Sequence, residues 1–153
     1  MKIHILWVGK TQEEWIRRGI NEYAGRIRRY VQLEISEARE EKGGVSEFVR
    51  EREGERLAKL VPRNARIILL DERGGEMTSP DFAGFLARCR ENGIGDLVFA
   101  VGGAYGCSEN FRARADKTIA LSRMTFTHQM VRVFLLEQIY RGFTILNNEA
   151  YHH

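Results

Sequence analysis

The stretch KTIALSRMTFTHQMVRVFLLEQIYR, residues 117–141, decides how the chain folds. It reads as a short strand (118–121), a polar loop (122–127) and a long helix from about His128. The hydroxyl of Thr125 or Thr127 is placed to cap that helix by accepting a first-turn N–H. The apolar positions Met130, Val131, Val133, Phe134, Leu135, Leu136, Ile139 and Tyr140 cover more than one face. Such a helix is either deeply buried or shared between a core and a partner subunit. His128 and Arg132 stand four apart, on one face, a turn above the loop. Strand, polar loop and buried helix together make a rim for a ligand site; the plainer alternative is a core helix with a capped start.

Outward from that stretch, strands and helices alternate. Upstream lies DLVFAV (96–101), a continuous apolar run that suits a strand buried on both faces, leading into Gly102-Gly103-Ala104-Tyr105-Gly106. A short helix at 108–115 separates the two strands. A second such run, IILL, sits within 66–71 and ends at Leu70-Asp71, followed by a loop at 72–75. Strands are also expected at 2–8 and 31–35. Between them, Thr11 and Glu14 fit a capping box ahead of a helix with Trp15, Ile16, Ile20, Tyr23 and Ile27 at helical spacing. Ser46 begins a helix that stops before Pro62, and Ser79-Pro80 begins another carrying Phe82, Phe85, Leu86 and Cys89. This order predicts a single α/β domain over 1–153, with a mostly parallel sheet of about five strands and helices on both faces. Ligands of such sheets sit beyond the carboxyl ends of the strands. Three loops meet that condition: those after Leu70, Val101 and Leu121.

The composition narrows the class. With 29% charged and 43% hydrophobic residues the chain is of globular type. No apolar run is long enough to span a bilayer, so no membrane is expected. The opening MKIHILWVGK alternates like a strand and its apolar part is too short for a signal peptide, which makes the cytoplasm the expected location. Cys89 and Cys107 are two distant thiols with no C-x-x-C spacing, so neither a disulfide frame nor a zinc knuckle is expected. The net charge of +3 hints at an anionic partner. Locally, Arg17, Arg18 and Arg26 gather on one side of the first helix. They read either as a solvated face or as a patch that contacts RNA phosphates.

Several chemistries drop out. Gly102-Gly103-x-x-Gly106 lacks the residue between its first two glycines that a dinucleotide fingerprint needs, and no P-loop motif exists. Neither G-x-S-x-G nor H-E-x-x-H occurs, so hydrolase and metal readings lack a motif and no metal is expected. What remains is a phosphate-free cofactor pocket built from three loops, a basic helix, and a tail ending in Tyr151-His152-His153.

V-G-G-A-Y-G (101–106), S-R-M-T-F-T-H-Q (122–129), V-R-V-F-L-L-E-Q-I-Y-R (131–141) and the terminal Y-H-H resemble the RlmH family, the SPOUT-superfamily pseudouridine N3-methyltransferases of large-subunit ribosomal RNA. The resemblance spans nearly the whole chain and is most specific in its carboxyl third. It implies a SPOUT fold with a deep trefoil knot near the C-terminus, a homodimer with its site at the interface, and action on 23S rRNA, on the assembled ribosome. It implies S-adenosylmethionine held by Leu70, Gly102, Gly103, Ser122, Arg123, Met124, Thr125, Phe126 and Thr127. His128, Tyr151 and His152 become candidates for the general base, and Arg132 for stabilising developing negative charge. Two other readings stay open: a relative that modifies a tRNA position, and a non-catalytic ribosome-binding factor.

Overall fold

A computed structural model describes residues 1–153. Ten elements alternate strictly: β1 (Lys2–Val8), α1 (Glu14–Ile27), β2 (Gln32–Ala38), α2 (Ser46–Leu60), β3 (Arg66–Glu76), α3 (Ser79–Glu91), β4 (Asp96–Val101), α4 (Glu109–Arg114), β5 (Lys117–Ala120) and α5 (Met130–Leu146). The five strands form one sheet in the order β2-β1-β4-β3-β5, every pair parallel. The α/β class and the five-stranded parallel sheet follow the sequence expectation. No helix is long and apolar enough to cross a membrane.

Side-chain alternation sorts the strands onto two faces. Ile3, Ile5 and Trp7 of β1, Leu97, Phe99 and Val101 of β4 and Ile68 and Leu70 of β3 pack with α1, α3 and α5. The intervening Leu6, Val8, Val98, Ala100, Ile67 and Leu69 pack under α2 and α4, against Leu57 and Phe111. Both faces are thus covered, which is why IILL and DLVFAV read as unbroken apolar runs. The connection leaving β3 goes to α3 on the first face. That leaving the adjacent β4 goes to α4 on the second. Neighbouring strands whose exits part to opposite faces leave a crevice at their carboxyl ends.

Several local expectations change. The capping box at Thr11 and Glu14 is absent: Glu13 occupies the N-cap of α1 without a side-chain bond. The Thr11 hydroxyl instead accepts Arg132 Nη1 at 3.0 Å. Thr78, not Ser79, caps α3, in a reciprocal box with Asp81, while Ser79 donates to Gln138. Of the two threonines offered for α5, Thr127 accepts the Met130 N–H at 3.1 Å. Trp15 faces outward at 59% exposure, off the buried stripe of Ile16, Ile20, Ala24 and Ile27. β3 does not end at Asp71. It bulges and re-pairs, so that Ile119 of β5 lies opposite both Leu70 and Gly75. A Cβ on Gly74 would stand 2.7 Å from the main chain of Ile119, so only glycine lets the bulge lie so close to β5.

Arg132 locks β1 to α5. It is fully buried, and its guanidinium donates to Val8 O (2.7 Å), Gly9 O (3.1 Å), Thr11 Oγ1 (3.0 Å) and His128 O (3.2 Å). It also lies over the Trp7 ring, 4.7 Å from the centroid. Replacing Arg132 by Met strands these acceptors, each worth about 1–3 kcal/mol when buried and unpaired. The expected loss is about 3 kcal/mol or more, read as a lower midpoint in urea unfolding, and an unchanged midpoint would show that water can reach the vacated acceptors.

Candidate active site

The loops after Leu70, Val101 and Leu121 converge on one cavity of about 1010 Å³ at the carboxyl edge of the sheet. Leu70, Val101, Leu121 and Val131 supply apolar wall, and Gly102, Gly103, Ser122 and Met124 to His128 supply polar main chain and hydroxyls. The turn from Gly103 closes when the Gly106 N–H donates to Gly103 O at 3.0 Å. A Cβ on Gly102 would lie 2.7 Å from the Gly106 carbonyl, so this glycine is fixed by backbone-to-backbone approach. In the last loop, Ser122 Oγ accepts the Met124 N–H at 3.0 Å, and Thr125 donates to Glu72 across from the β3 bulge. Gln129 bridges to the β1 exit, donating to Lys10 O and accepting the Gln12 N–H.

The electrostatics of the wall are set by burial and by few charges. Burial lowers the His128 pKa below its ordinary 6.5, and the Arg132 charge adds to that; Glu40 opposes weakly. His128 is therefore biased toward its neutral form, with Nε2 at 3.5 Å from the Gln129 amide nitrogen. Burial works to raise the Asp71 carboxyl, but bonds from Arg112 (2.7 Å) and the Arg73 N–H (2.8 Å) outweigh it and hold the group below its usual range. Cys107, also on the wall, is pushed up to about 11 by burial and stays an inert thiol.

The residues singled out from the sequence fall into three places. Leu70, Gly102, Gly103, Ser122, Met124, Thr125, Phe126, Thr127 and His128 all line the cavity. Arg123 does not; it points outward at 86% side-chain exposure and pairs with Glu76 at 3.3 Å. Arg132 lies behind the wall rather than on it, its donors already committed to Val8, Gly9, Thr11 and His128. Tyr151 and His152 fold back on their own α5: Tyr151 Oη donates to Glu137 Oε1 at 3.0 Å, and His152 Nδ1 accepts Arg141 Nη1 at 3.2 Å. Glu137 is seven residues past Met130, the first residue of α5, ~10 Å at 1.5 Å per helical residue, and no tail residue lines the cavity, so the tail stands away from its own chain's cavity. Burial, Tyr23 and Glu137 together raise the Tyr151 phenol, which stays protonated here. On α1, Arg17 pairs with Glu14 at 2.7 Å and Arg26 with Glu22 at 2.8 Å, while Arg18 reaches Glu14 at 3.5 Å. Such exposed pairs are weak and exchangeable. Sequence reasoning missed Asp71 and Arg112 as cavity residues, although Asp71 directly follows the IILL run at the edge where ligands of such sheets bind.

Comparison with known proteins turns this geometry into a class. A family model described as "Predicted SPOUT methyltransferase" matches residues 1–152, and the chain belongs to that methyltransferase family. Within it, the chain is 72% identical over 153 residues, full length against full length, to ribosomal RNA large subunit methyltransferase H of Geotalea uraniireducens (strain Rf4). The protein of that name in Geobacter sulfurreducens is 68% identical over the same 153 residues, so the particular family is that of the large-subunit methyltransferase H. Among solved structures, a probable methylase family protein of Haemophilus influenzae Rd KW20 shares the fold, with a TM-score of 0.56 at 11% identity, over 99% of this chain and 70% of that one. So does Lpg2936 of Legionella pneumophila, assigned as a methyltransferase and solved with SAM bound, with a TM-score of 0.50 at 8% identity, over 91% of this chain and 65% of that one.

Proton binding at His128 is disfavoured by folding, so its stabilising share is present above the unfolded pKa and is lost as pH falls below about 6.5. Titration of the ring followed by NMR is expected to give a midpoint below 6.5. A midpoint at or above that value would mean the ring is hydrated and does not feel Arg132.

Proposed function

We propose that the chain methylates N3 of a pseudouridine in large-subunit ribosomal RNA, using S-adenosylmethionine, as a cytoplasmic homodimer of one-domain subunits. The observation that carries this reading is the meeting of three loops around one cavity with His128 on its wall. The residues present fit the cofactor. Leu70, Val101, Leu121 and Phe126 offer apolar surface to a purine, and the Gly102–Gly106 turn and the loop 122–127 offer main-chain edges and hydroxyls to its polar rim. Arg123, outside the cavity, is left for the RNA side. When bound there, the cofactor would supply an electrophilic sulfonium methyl group for transfer to N3.

N3 carries a proton, so the chain must remove it. His128, unprotonated at neutral pH, is placed to receive it, with the target nucleotide flipped into the mouth of the cavity. Arg132 acts from behind by holding the His128 carbonyl and thus the start of α5. The tail is assigned to the partner's cavity. It lies away from its own, and a chain with Tyr151 and His152 displayed on α5 can present them to a second copy. The outward apolar side chains Trp15, Met124, Phe126 and Phe134 support such an interface. Arg17, Arg18 and Arg26 hold RNA phosphates by exchanging their glutamate partners, giving salt-dependent affinity with little sequence content.

The deciding experiment supplies methyl-labelled S-adenosylmethionine with whole ribosomes, free ribosomal RNA or tRNA, then maps the label by mass. Label is expected at a pseudouridine of the large-subunit RNA, with whole ribosomes the best substrate. Label confined to tRNA, or no cofactor binding by calorimetry, overturns the reading. Removing residues 151–153 is expected to cut turnover roughly hundredfold or more, the scale of a lost donor to developing negative charge, with cofactor affinity retained; full turnover would take the tail out of the mechanism.

A further inference from the structure

Glu53 is a carboxylate in an unusual place. It sits in α2, away from the cavity lining, and is only 4% exposed. One oxygen, Oε2, accepts the Glu41 N–H at 3.1 Å. The other, Oε1, is buried and has no hydrogen-bond partner. It points at the glycine turn: a Cβ built on Gly103 would meet Oε1 at 2.6 Å and Oε2 at 3.3 Å. The next residue is pressed just as hard, since a Cβ on Gly54 would lie 2.3 Å from Ser108 Oγ, the N-cap of α4. So two consecutive residues of α2 abut the two ends of the segment 103–108 that forms one wall of the cavity.

The surroundings do not explain the carboxylate as half of an ion pair. The nearest cation, Arg56, is committed to Glu41 and Arg39 O. Glu40 and Glu41 add like charge from the adjoining loop, and burial raises the Glu53 pKa. A group that burial disfavours, and that Arg56 offsets only from beyond hydrogen-bond contact, is a cost to the fold. What it gains is reach: one side chain ties the main chain at Glu41 and backs the Gly103 turn.

We propose that Glu53 is a positioning residue for the cofactor, its free oxygen bracing Gly103 from behind so that the turn stands at the height the ligand needs. This rests on the cofactor reading above. It touches no reacting atom, so its loss acts on affinity and not on chemistry. Glu53→Ala is expected to raise the S-adenosylmethionine KM about tenfold with kcat within about twofold, a uniform-binding loss. Glu53→Gln keeps the volume and is expected to stay within about threefold of the original KM. Gly103→Ala drives a methyl into the carboxylate and is expected to weaken binding, and adding Glu53→Ala to it is expected to recover affinity at least about threefold, the coupling expected of residues in contact.

Amide exchange of residues 103–107 without ligand tests the brace independently of the cofactor, and is expected to rise about tenfold in Glu53→Ala and little in Glu53→Gln. Unchanged exchange in Glu53→Ala, a Gln variant as weak as the Ala variant, or no relief in the double variant overturns the proposal. Failure of the unmodified protein to bind S-adenosylhomocysteine in calorimetry would overturn the cofactor reading and with it the proposed role, while altered exchange would still report the contact.

Discussion

One guanidinium holds the site together. Arg132 takes the last carbonyls of β1 and the carbonyl of His128 into a single set of hydrogen bonds, with Trp7 as its floor. β1 is a central strand and α5 is the last helix, so this set closes the chain's beginning onto its end. A buried cation is costly unless its donors are met. Here four acceptors and a ring face meet it, and burial lowers its pKa only to about 10, leaving it charged at neutral pH. That charge then reaches His128 and helps keep the imidazole neutral. A packing device and a chemical one thus share the same side chain. The sequence suggested Arg132 as a group facing developing charge; the fold uses its charge from behind the wall.

The cavity itself follows from strand order. β4 lies between β1 and β3, and the exits of β3 and β4 leave toward opposite faces of the sheet. The crevice between those exits must be walled by something, and the wall comes from loops far apart in the chain. Glycines permit the approach. Gly102 lies against the Gly106 carbonyl, Gly103 against Glu53, and Gly74 against Ile119. Each is a point where a single added carbon would push one loop off another. This places strong constraints on the loops and few on the outer rim, where Tyr105 and Met124 stand free.

Much of this was legible in the residues. Apolar runs such as IILL and DLVFAV gave buried parallel strands, because both faces of the sheet are covered. The short helix expected at 108–115 forms over Glu109–Arg114, with Ser108 as its cap accepting the Phe111 N–H. The three ligand loops could be chosen from strand ends alone. What stayed hidden depended on partners remote in sequence. Thr11 looked like a helix cap, since nothing local shows that Arg132, over a hundred residues on, claims its hydroxyl. The 72–75 segment looked like a plain loop, since pairing with β5 across a bulge leaves no periodic mark. Glu53 looked like one more charge on a charged helix; only the packed glycine turn sets it apart.

The tail is where a single chain stops being enough for the proposed reaction. His128 stands at one end of α5, and the Tyr23, Glu137, Arg141, Tyr151 and His152 cluster is gathered two to three turns along it. The cluster is ordered within itself: Arg141 chelates Glu137 with Nε and Nη2, and its Nη1 fixes the His152 ring by donating to Nδ1. Accepting at Nδ1, the His152 ring leaves its Nε2–H to meet a neighbour as a donor, while the single Tyr151 O–H is already committed to Glu137. A ring N–H held in one orientation is suited to an anion, and deprotonated pseudouridine is one. On this reading the two ends of α5 divide the labour, one removing the proton and the other, from a second copy, stabilising the charge left behind. Neither end can do both, because helix geometry fixes the distance between them.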